Sequence, residues 1–548
     1  MPISNAEIAD SLINLAQLLA PRKENFYRVK AYQRAAARIR SMSESIDELV
    51  RDEADLTELA GIGSAISAAI REIVLTGRLS RLEQLRAESS RELVDISHYP
   101  RLDPRKVMRI YKRMKISSVD SLKEKLESGE LQKSMGPRLT QHIRQGLAPS
   151  EAMLLYKADS LAASVEHFLL DKCHVVRAEA VGAYRRRVEV IEELAFLVQT
   201  DDFPFVIATL EQYGGHTPLL KSSSNEALFA LSTGIVLRVT AASSKEWIRT
   251  LIHTTGSEAH LKLLPKISGT FSTEEAFYEK AGLAFIPPEL REGHDEVELA
   301  QQGNLPDLIS LADLRGELHA HSLSSDGSAS IENMAAAAKA HGYDYIGMSD
   351  HSQSLRIANG VSVNDLWKQL RYIDRLNEKL DGIHILKSSE VDILSDGALD
   401  YPDDLLKELD YTVCSIHSRF GLGKTAQTER IMRAMDNRYF NILGHATGRL
   451  LLKRPGYEID LERIIPHAKA NGCFFEINSS PDRLDLSAEN ARLAVHAGIK
   501  LAISTDAHGV REFRFSRYGV DQARRAGVGK DLVLNVEPWE TLVRLFAR

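Results

Sequence analysis

The sequence has few cysteines, few aromatic residues and no long apolar segment. Only three cysteines occur in 548 residues, Cys173, Cys414 and Cys473. Their scatter excludes a disulfide-framework protein and fits a reducing compartment. The apolar runs are short, and none approaches the roughly 18 residues of a membrane span. The N-terminal segment MPISNAEIADSL has no basic stretch followed by an apolar one, so we expect no secretory signal, no membrane partner and a cytoplasmic protein.

The composition is that of a globular protein, and its charge is unevenly distributed. Hydrophobic residues make up 44% of the chain and charged residues 26%, and the length corresponds to roughly three to five domains. The net charge is −7, yet residues 1–150 contain 25 lysines and arginines against 20 acidic residues. A basic N-terminal region on an acidic chain hints at a polyanionic partner.

The hydrophobic pattern changes twice along the chain. Residues 1–150 have apolar residues at helical spacing, interrupted by glycine and proline, and residues 151–300 mix helical stretches with strand-like runs at 187–191 and 235–239. From residue 314 onward, short apolar runs alternate with helix-length segments. These seven runs predict parallel strands, and so many repeated βα units predict a barrel. The runs begin at Gly316, Tyr345, Ile383, Tyr411, Asn441, Cys473 and Lys500.

Residues that commonly bind metals follow nearly every one of these predicted strands. Histidines two positions apart on a strand point to the same face, and the C-terminal strand ends of a barrel share one mouth. Nine side chains are too many for one ion, so we expect two or three Mn²⁺, Zn²⁺ or Fe²⁺ ions, with a carboxylate such as Glu390 bridging. The predicted ligands are His319, His321, Asp326, His351, Glu390, His417, His445, Asp506 and His508. By contrast His341, His384, His467 and His496 close no strand, and we interpret them as structural.

The phrases around these ligands resemble a PHP (polymerase and histidinol phosphatase) domain. They include ELHAHSLSSDG, SSEVDILSDGALDYPDDLL, ILGHATGRLLLKRPGYEID and STDAH, and they are closest to the C-terminal domain of bacterial family X DNA polymerases. The resemblance implies a distorted seven-stranded βα barrel with three metals and a metal-dependent phosphoesterase, often a Mn²⁺-dependent 3′→5′ exonuclease on DNA. It implies one ion held by His319, His321, Glu390 and Asp506, a second by Asp326, His351 and His508, and a third by Glu390, His417 and His445.

Two arginines follow His445 in this stretch. Guanidinium groups bind phosphate bidentately and stay charged. We place Arg449 in the catalytic set with His319, His321, Glu390 and Asp506, because it lies within the family-like GHATGR. For Arg449 and Arg454 alike, a surface salt bridge is the alternative.

The N-terminal region resembles the helix-hairpin-helix domain of the same polymerases. In Leu59–Ile66, Gly61 and Gly63 allow a tight turn near a phosphate, and the amides after Ser64 open a helix toward it. The segment 24–39 adds to this resemblance, whereas two later hairpins near 98–107 and 134–143 are degraded. The lysine that the family uses as a lyase nucleophile falls at Ala69, and a supporting lysine at Ala65. We therefore predict no lyase reaction through that position.

The central region resembles a polymerase palm that has lost its catalytic carboxylates. Beside the GAYRR motif, Arg186 retains a role compatible with phosphate binding, and Ala183 replaces a serine. The three catalytic carboxylates fall at Glu193, Ala195 and Val236, so nucleotidyl transfer through two Mg²⁺ ions is predicted absent. A substitute site made by Glu192 and Glu193 is the alternative.

These resemblances define a multidomain α and α/β chain. We expect a helix-hairpin-helix domain at 1–82, a helical fingers-like domain at 83–150, an α+β nucleotidyltransferase-like palm with a shortened thumb at 151–297, a linker at 298–313 and the PHP domain at 314–548. The chain would bind the DNA backbone without reading sequence, through Gly61, Gly63, Ser64 and Arg186, and would use no organic cofactor.

The function that this organisation favours is a phosphodiesterase that processes DNA 3′ ends in repair. The same site would suit removal of 3′ phosphates or cleavage at abasic sites. A small-molecule phosphatase of the histidinol phosphate type, a non-enzymatic DNA-binding protein and a still active polymerase are the alternatives.

Overall fold

The computed structural model describes residues 3–22, 26–99, 102–136, 139, 140, 143, 144, 147 and 152–547. Parts of the degraded hairpins near 98–107 and 134–143 lie outside the described residues, including Pro100, Arg101, Pro137 and Arg138. None of the helices in the described ranges is both long and apolar enough to cross a membrane.

The N-terminal region is helical, as its periodicity predicts. Its first helix begins with a capping box between Ser4 and Glu7, and buries Ile8, Leu12 and Leu15 along one face. One apolar cluster lies within residues 8–85 and a second within residues 96–143. The helices are Asn5–Leu19, Phe26–Arg40, Ile46–Arg51, Ser64–Thr76, Ser80–Glu88, Arg91–Ser97, Pro104–Met114, Val119–Glu127 and Glu130–Met135.

The central region is built on a mixed five-stranded sheet. Its strands are β2 (Arg177–Val181), β4 (Glu193–Gln199), β5 (Leu219–Ser222), β6 (Glu226–Ala230) and β7 (Val236–Ala242), in the order β2-β4-β7-β6-β5. Only β4 and β7 are parallel. A separate short pair joins β1 (Met153–Leu154) to β3 (Val190–Ile191). The helices are Leu155–Asp171, Gly182–Arg185, Phe203–Leu210, Trp247–Thr255, Glu258–Leu263, Glu274–Lys280 and Glu296–Gln302.

Two sequence expectations for this region need correction. The run 187–191 is not one strand, because Arg187 adopts a left-handed φ of 60° and only Val190–Ile191 pairs. The sheet strand in this part of the chain is β4, two residues later. The segment expected as a linker begins inside the helix Glu296–Gln302 before it becomes irregular.

The C-terminal region alternates parallel strands with helices. The strands are β8 (Gly316–Ala320), β9 (Tyr345–Met348), β10 (His384–Lys387), β11 (Glu390–Asp392), β12 (Val413–Ser415), β13 (Ile442–Leu443), β14 (Phe474–Asn478) and β15 (Leu501–Ser504). Each predicted run therefore contains a strand, and β11 is an additional one. The helices are Ile331–Ala340, Val363–Asn377, Asp403–Leu406, Lys424–Met435, Leu461–Ala470, Ala488–His496, Ser516–Arg525 and Trp539–Phe546.

The C-terminal strands form two parallel sheets that meet at isolated bridges. One sheet has the order β10-β9-β8 and the other β11-β12-β13-β14-β15. A parallel bridge from Ala320 to Ala507 joins the end of β8 to the segment after β15, and another from His351 to Glu390 joins the segment after β9 to the first residue of β11. The C-terminal ends of the strands therefore surround a common opening.

The central and C-terminal regions are held together by half-buried ion pairs. The carboxylate of Asp159 accepts hydrogen bonds from Arg187 at 3.0 Å and from the Tyr518 hydroxyl at 2.7 Å. Arg187 also binds Asp521 at 2.8 Å. The helix Leu155–Asp171 is thereby fixed against the helix Ser516–Arg525, so the two regions share one interface.

A fully buried arginine organises the last part of the central region. Arg291 has no exposed surface, and its guanidinium donates to Glu274 at 2.6 Å and to the carbonyl of Ile286 at 2.9 Å. The same guanidinium lies 5.2 Å from the ring of Tyr278. Although burial opposes ionisation of Glu274, Arg185 and Arg291 hold its pKa below the ordinary value.

We predict that Arg291→Ala lowers the free energy of unfolding of this region by about 3–5 kcal/mol, because Glu274 loses a buried partner and a cavity forms. Urea unfolding, followed by hydrogen exchange of the helix Glu274–Lys280, measures this change. Arg463→Ala removes an exposed ion pair with Glu429 and should leave the midpoint nearly unchanged. Equal midpoints for the two variants would contradict the assigned role of Arg291.

Candidate metal centre

Strand β8 places two histidines opposite the hydrophobic core. Leu318 and Ala320 belong to apolar clusters, whereas His319 lies on the other side of the pleat and His321 follows it at the same parity. Both imidazoles are fully buried. The sequence alternation therefore places a pair of imidazoles inside the ring of strands.

The loops at the C-terminal strand ends bring the other predicted ligands to this pair. Each of three groups has ligand atoms within 4.8 Å of one another, so all nine predicted residues except His445 fall into a group with metal-binding spacing. The groups are His321, Asp326, His351 and His508; His319, His321 and Asp506; and His351, Glu390 and His417.

The grouping differs in part from the one that the resemblance implies. His321 lies 3.0 Å from Asp506 but also belongs to the group around Asp326, so it stands between two sets. His445 joins through its Nε2, 2.8 Å from Glu390 Oε1. The expected ligands are therefore all close together. His321 and His351 each belong to two of the three groups, so the groups overlap more than the resemblance implies.

Glu390 occupies the middle of the cluster. Its buried carboxylate lies 2.8 Å from both His351 Nδ1 and His445 Nε2 and 3.3 Å from His417 Nε2. His319 and His321 approach it at 3.5 and 3.7 Å. One carboxylate thus faces five imidazoles, which is the position a bridging ligand requires.

Several buried ligand atoms have no hydrogen-bond partner among the described residues. They are His319 Nε2, His321 Nδ1, His351 Nδ1, His445 Nδ1 and Glu390 Oε2. Some of these atoms approach one another closely but without hydrogen-bond geometry. Unsatisfied buried polar atoms are costly, and imidazole with carboxylate is a donor set that Mn²⁺, Zn²⁺ and Fe²⁺ accept. The residues present therefore fit divalent ions.

Outer carboxylates orient the ligating imidazoles. His319 Nδ1 lies 2.7 Å from Glu476 Oε1, and His417 Nδ1 lies 2.5 Å from Asp392 Oδ1. Glu476 also accepts the backbone N–H of His445 at 2.7 Å. Such partners fix the tautomer so that the other ring nitrogen faces the metal. Sequence reasoning missed both carboxylates, although a charged residue inside an apolar strand was a usable signal.

Two further buried carboxylates brace the opening. Glu317 accepts hydrogen bonds from the backbone N–H and the hydroxyl of Thr505, and burial raises its pKa to about 7. Asp350 accepts from Ser322, Ser325 and Gln369. These bonds hold the loops that carry His321, Asp326 and Asp506.

The electrostatic field of the cluster favours positive charge. Burial opposes protonation of His351, but Glu390 and Asp326 raise its pKa to about 10. Burial likewise opposes ionisation of Glu390, while His417, His351 and His319 hold its pKa well below the ordinary value. By contrast, burial and the neighbouring His351 lower the pKa of His321 to about 4. Carboxylates that stabilise imidazolium stabilise a bound cation by the same attraction.

Two ligands have strained backbones. His445 has φ of 25° and Asp506 has φ of 55°, values that residues with a side chain rarely adopt. Strain of this kind persists where surrounding contacts enforce it and is concentrated at functional sites.

Of the two interpretations that the sequence left open for Arg449, the structure supports the ion pair. Arg449 binds Glu189 of the central region at 2.7 Å and the carbonyl of Arg483 at 2.9 Å. Arg454 lies over the ring of Phe420. It is Arg483, missed by the sequence analysis, whose Nε lies 3.5 Å from Asp506 Oδ2.

The predicted helix-hairpin-helix turn has the expected backbone. Gly61 adopts φ of 89°, and Gly63 precedes the helix Ser64–Thr76 as its cap. Gly61, Gly63 and Ser64 are exposed, and a Cβ at either glycine would meet nothing within 4 Å. The amides at this helix start are therefore open to a ligand. Ala69 is buried in the apolar cluster, so its position presents no nucleophile.

The three positions at which the resemblance places palm carboxylates lie side by side on β4 and β7. Glu193 is directly opposite Val236, and Ala195 is opposite Arg238. Arg238 binds both oxygens of Glu193 at 2.7 and 2.9 Å and also binds Glu226 at 2.7 Å. Glu193, which is the one carboxylate among the three positions, is thus paired with an arginine.

The remaining predicted phosphate ligand of the palm is engaged within the protein. Arg186 donates to Glu292 at 3.1 Å and to the carbonyl of Thr255 at 2.6 Å. Glu192 is exposed, next to the neutralised Glu193. Neither residue is brought to the C-terminal cluster.

Comparison with known proteins assigns two regions of the chain to domain families. Residues 3–79 match the helix-hairpin-helix domain family, and residues 317–480 match the PHP domain family. The chain is 32% identical, over 96% of its length, to the DNA polymerase/3′-5′ exonuclease PolX of Bacillus subtilis (strain 168), and covers 97% of that protein. It is 33% identical, over 40% of its length, to a probable phosphatase of Thermoanaerobacter sp. (strain X514), and covers 90% of that protein. These matches confirm the predicted helix-hairpin-helix and PHP regions.

We predict that replacing His319 and His321 together by alanine lowers the bound metal by at least one equivalent, because both imidazoles belong to the group around Asp506. Metal analysis after dialysis against Mn²⁺ or Zn²⁺ measures the content. His384→Asn is the matched control, since His384 stacks on Trp539 outside the cluster. Unchanged metal content in the double variant would exclude this site.

We also predict that Glu476→Gln weakens metal binding by about 10–100-fold, because His319 loses the carboxylate that fixes its tautomer. Competition with a chromophoric chelator gives the affinity, and thermal melting reports folding. The exposed Glu462→Gln serves as control. An affinity equal to that of the control would show that Glu476 plays no part in orienting the ligand.

Proposed function

The chain belongs to the bacterial family X DNA polymerases that carry a C-terminal PHP domain, and on this premise we propose that it is a metal-dependent phosphodiesterase that shortens DNA from the 3′ end. The observation that carries the proposal is the cluster around Glu390, where one carboxylate faces five imidazoles at the strand ends. The named activity of the Bacillus subtilis relative, a 3′-5′ exonuclease, supports it.

The proposed metal site uses all nine ligands and takes two or three divalent ions, with Mn²⁺ preferred. Such ions polarise a phosphodiester, lower the pKa of water and stabilise the departing oxygen. The nine ligands would hold these ions, with Glu390 placed where it could be shared between them, and Glu476 and Asp392 orient His319 and His417 through their Nδ1 atoms. No side chain is needed as a covalent nucleophile.

Phosphate binding at this site is assigned to two arginines in different roles. We infer that Arg483 approaches the substrate phosphate, because its guanidinium is already directed to Asp506. Arg449, which we expected in that role, acts through its bond to the carbonyl of Arg483. A planar, permanently charged guanidinium suits the phosphate oxygens.

The barrel and the domain division are part of the proposal. If β10 and β11 are counted as one strand interrupted at Ser388 and Ser389, the pairings and the two bridges describe a distorted ring of seven strands. Separate apolar clusters at 8–85, 96–143 and 309–533 support the domains proposed at 1–82, 83–150 and 314–548. The domain proposed at 151–297 is supported by its own five-stranded sheet, although its main apolar cluster also includes Leu484 and Tyr518 of the C-terminal region.

The palm is proposed to be a scaffold without polymerase activity. Ala195 and Val236 offer no metal ligand, and Arg238 neutralises Glu193. The helix-hairpin-helix turn would bind the DNA backbone through its amides without reading sequence, which suits a cytoplasmic DNA repair enzyme.

We predict that purified protein with Mn²⁺ shortens a labelled primer–template stepwise, and that added dNTPs do not produce extension. His319→Ala should abolish the shortening, because it removes a proposed ligand. Denaturing gel electrophoresis resolves the products. Extension with dNTPs would overturn the assignment of Ala195 and Val236, and shortening that survives in the variant would place the nuclease elsewhere.

A second candidate is a phosphatase of small phosphate esters. It is favoured by the probable phosphatases that match about 40% of the chain. Histidinol phosphate is the first substrate to test if the primer–template is left intact. Release of phosphate from it, with no effect on DNA, would replace the exonuclease by this activity.

A further inference from the structure

A large cleft lies where the three parts of the chain meet. Its volume is about 1100 Å³, above the roughly 300–1,000 Å³ of sites for small molecules. The helix Phe26–Arg40 contributes its last turn, the helix Leu155–Asp171 its first turns, and the C-terminal region the segments 451–453 and 514–518. The cleft is therefore spacious enough for part of a polymer.

The cleft is basic although the chain is acidic. Six cationic and three carboxylate side chains line it, on a protein with a net charge of −7. The cations are Arg38, Arg40, Lys157, Lys453, Arg514 and Arg517.

Two of the three carboxylates are already neutralised. Asp159 binds Arg187 and Tyr518, and Asp482 binds Lys453 at 3.1 Å. The third is Glu192.

Three of the cations are available to a ligand. Within the part of the chain that the structure describes, Arg38, Lys157 and Arg514 have no carboxylate at ion-pair distance. All three side chains belong to exposed residues. The cleft thus presents uncompensated positive charge from all three parts of the chain, which favours a polyanion.

Aromatic rings alternate with these cations. Lys157 Nζ lies 5.9 Å from the ring centre of Tyr156, and the guanidinium of Arg514 lies 5.2 Å from that of Phe515. Both rings are half-buried and line the cleft. Cations that follow a backbone beside rings on which bases stack are the pattern of single-strand binding.

The wall of the cleft is continuous with the metal centre. Asp482 lines the cleft, and its carbonyl accepts the N–H of Leu451 at 2.8 Å. The next residue, Arg483, reaches to 3.5 Å from the metal-centre residue Asp506. A strand lying in the cleft would therefore end close to the cluster.

We propose that this cleft binds the single-stranded segment that adjoins the 3′ end in the metal centre. Arg38, Lys157 and Arg514 contact its phosphates, and Tyr156 and Phe515 stack on its bases. Binding is independent of sequence, because every base offers a face to an aromatic ring. The inference rests on the proposed exonuclease function and names the path of its substrate.

The test is the affinity for a fluorescein-labelled oligothymidylate, measured by anisotropy in EDTA so that no cleavage occurs. The triple variant Arg38→Ala, Lys157→Ala and Arg514→Ala should bind at least about tenfold more weakly at low salt. The slope of log K against log salt should fall by about 2, since each single-strand phosphate contact contributes roughly 0.7.

The matched control is Lys245→Ala, Lys266→Ala and Lys379→Ala, which removes the same charge from exposed positions outside the cleft. A clearly larger loss in the cleft variant supports the proposal. An equal loss in both variants, or no loss in the cleft variant, overturns it.

Hydrolysis of bis(p-nitrophenyl) phosphate with Mn²⁺, together with thermal melting, distinguishes loss of DNA binding in the cleft from damage to the metal centre or to folding. The cleft variant should keep this hydrolysis and its melting temperature while it degrades the oligonucleotide more slowly. If the cleft variant degrades the oligonucleotide at the wild-type rate, the proposed role of the cleft is wrong. If the wild-type protein hydrolyses neither substrate, the exonuclease proposal fails, and the binding comparison alone decides whether the cleft holds DNA.

Discussion

The buried carboxylate of Glu390 is the constraint around which the C-terminal region is arranged. A carboxylate removed from water is costly unless positive charge surrounds it. Five imidazoles from β8 and from the ends of β9, β12 and β13 meet it within 3.7 Å. Because the five imidazoles come from four different strands, the carboxylate and its partners are satisfied only when the strands assemble together. The outer bonds to Glu476 and Asp392 then fix how the rings are turned.

The features that follow from local periodicity were predictable from the sequence. The seven apolar runs locate strands of the C-terminal region, and the two-residue spacing places His319 and His321 on one face. The nine predicted ligands come together in one cluster, because each lies within, at the start of or shortly after a strand. The turn at Gly61 and Gly63 was also predictable, because Gly61 adopts a positive φ that favours glycine.

The features that depend on distant partners were not predictable. Arg449 and Glu189 are 260 positions apart, so no local pattern indicates that this guanidinium joins two regions. Glu476 and Asp392 acquire their roles only when β14 and β11 are placed beside the histidines. The strand predicted at 187–191 begins later than expected, because the backbone of Arg187 turns where its side chain pairs with Asp159 and Asp521. Side-chain contacts of this kind outweigh local strand propensity.

The ion pair between Arg238 and Glu193 limits how a metal site could form in the central region. Ala195 lies opposite Arg238, and Val236 lies opposite Glu193. Two aspartates introduced at these positions would meet an arginine already bonded to Glu193 and Glu226. A divalent ion would have to displace that guanidinium before it could bind. A metal site at this edge of the sheet therefore requires removal of the arginine as well as addition of the two carboxylates, so that neither change is sufficient by itself.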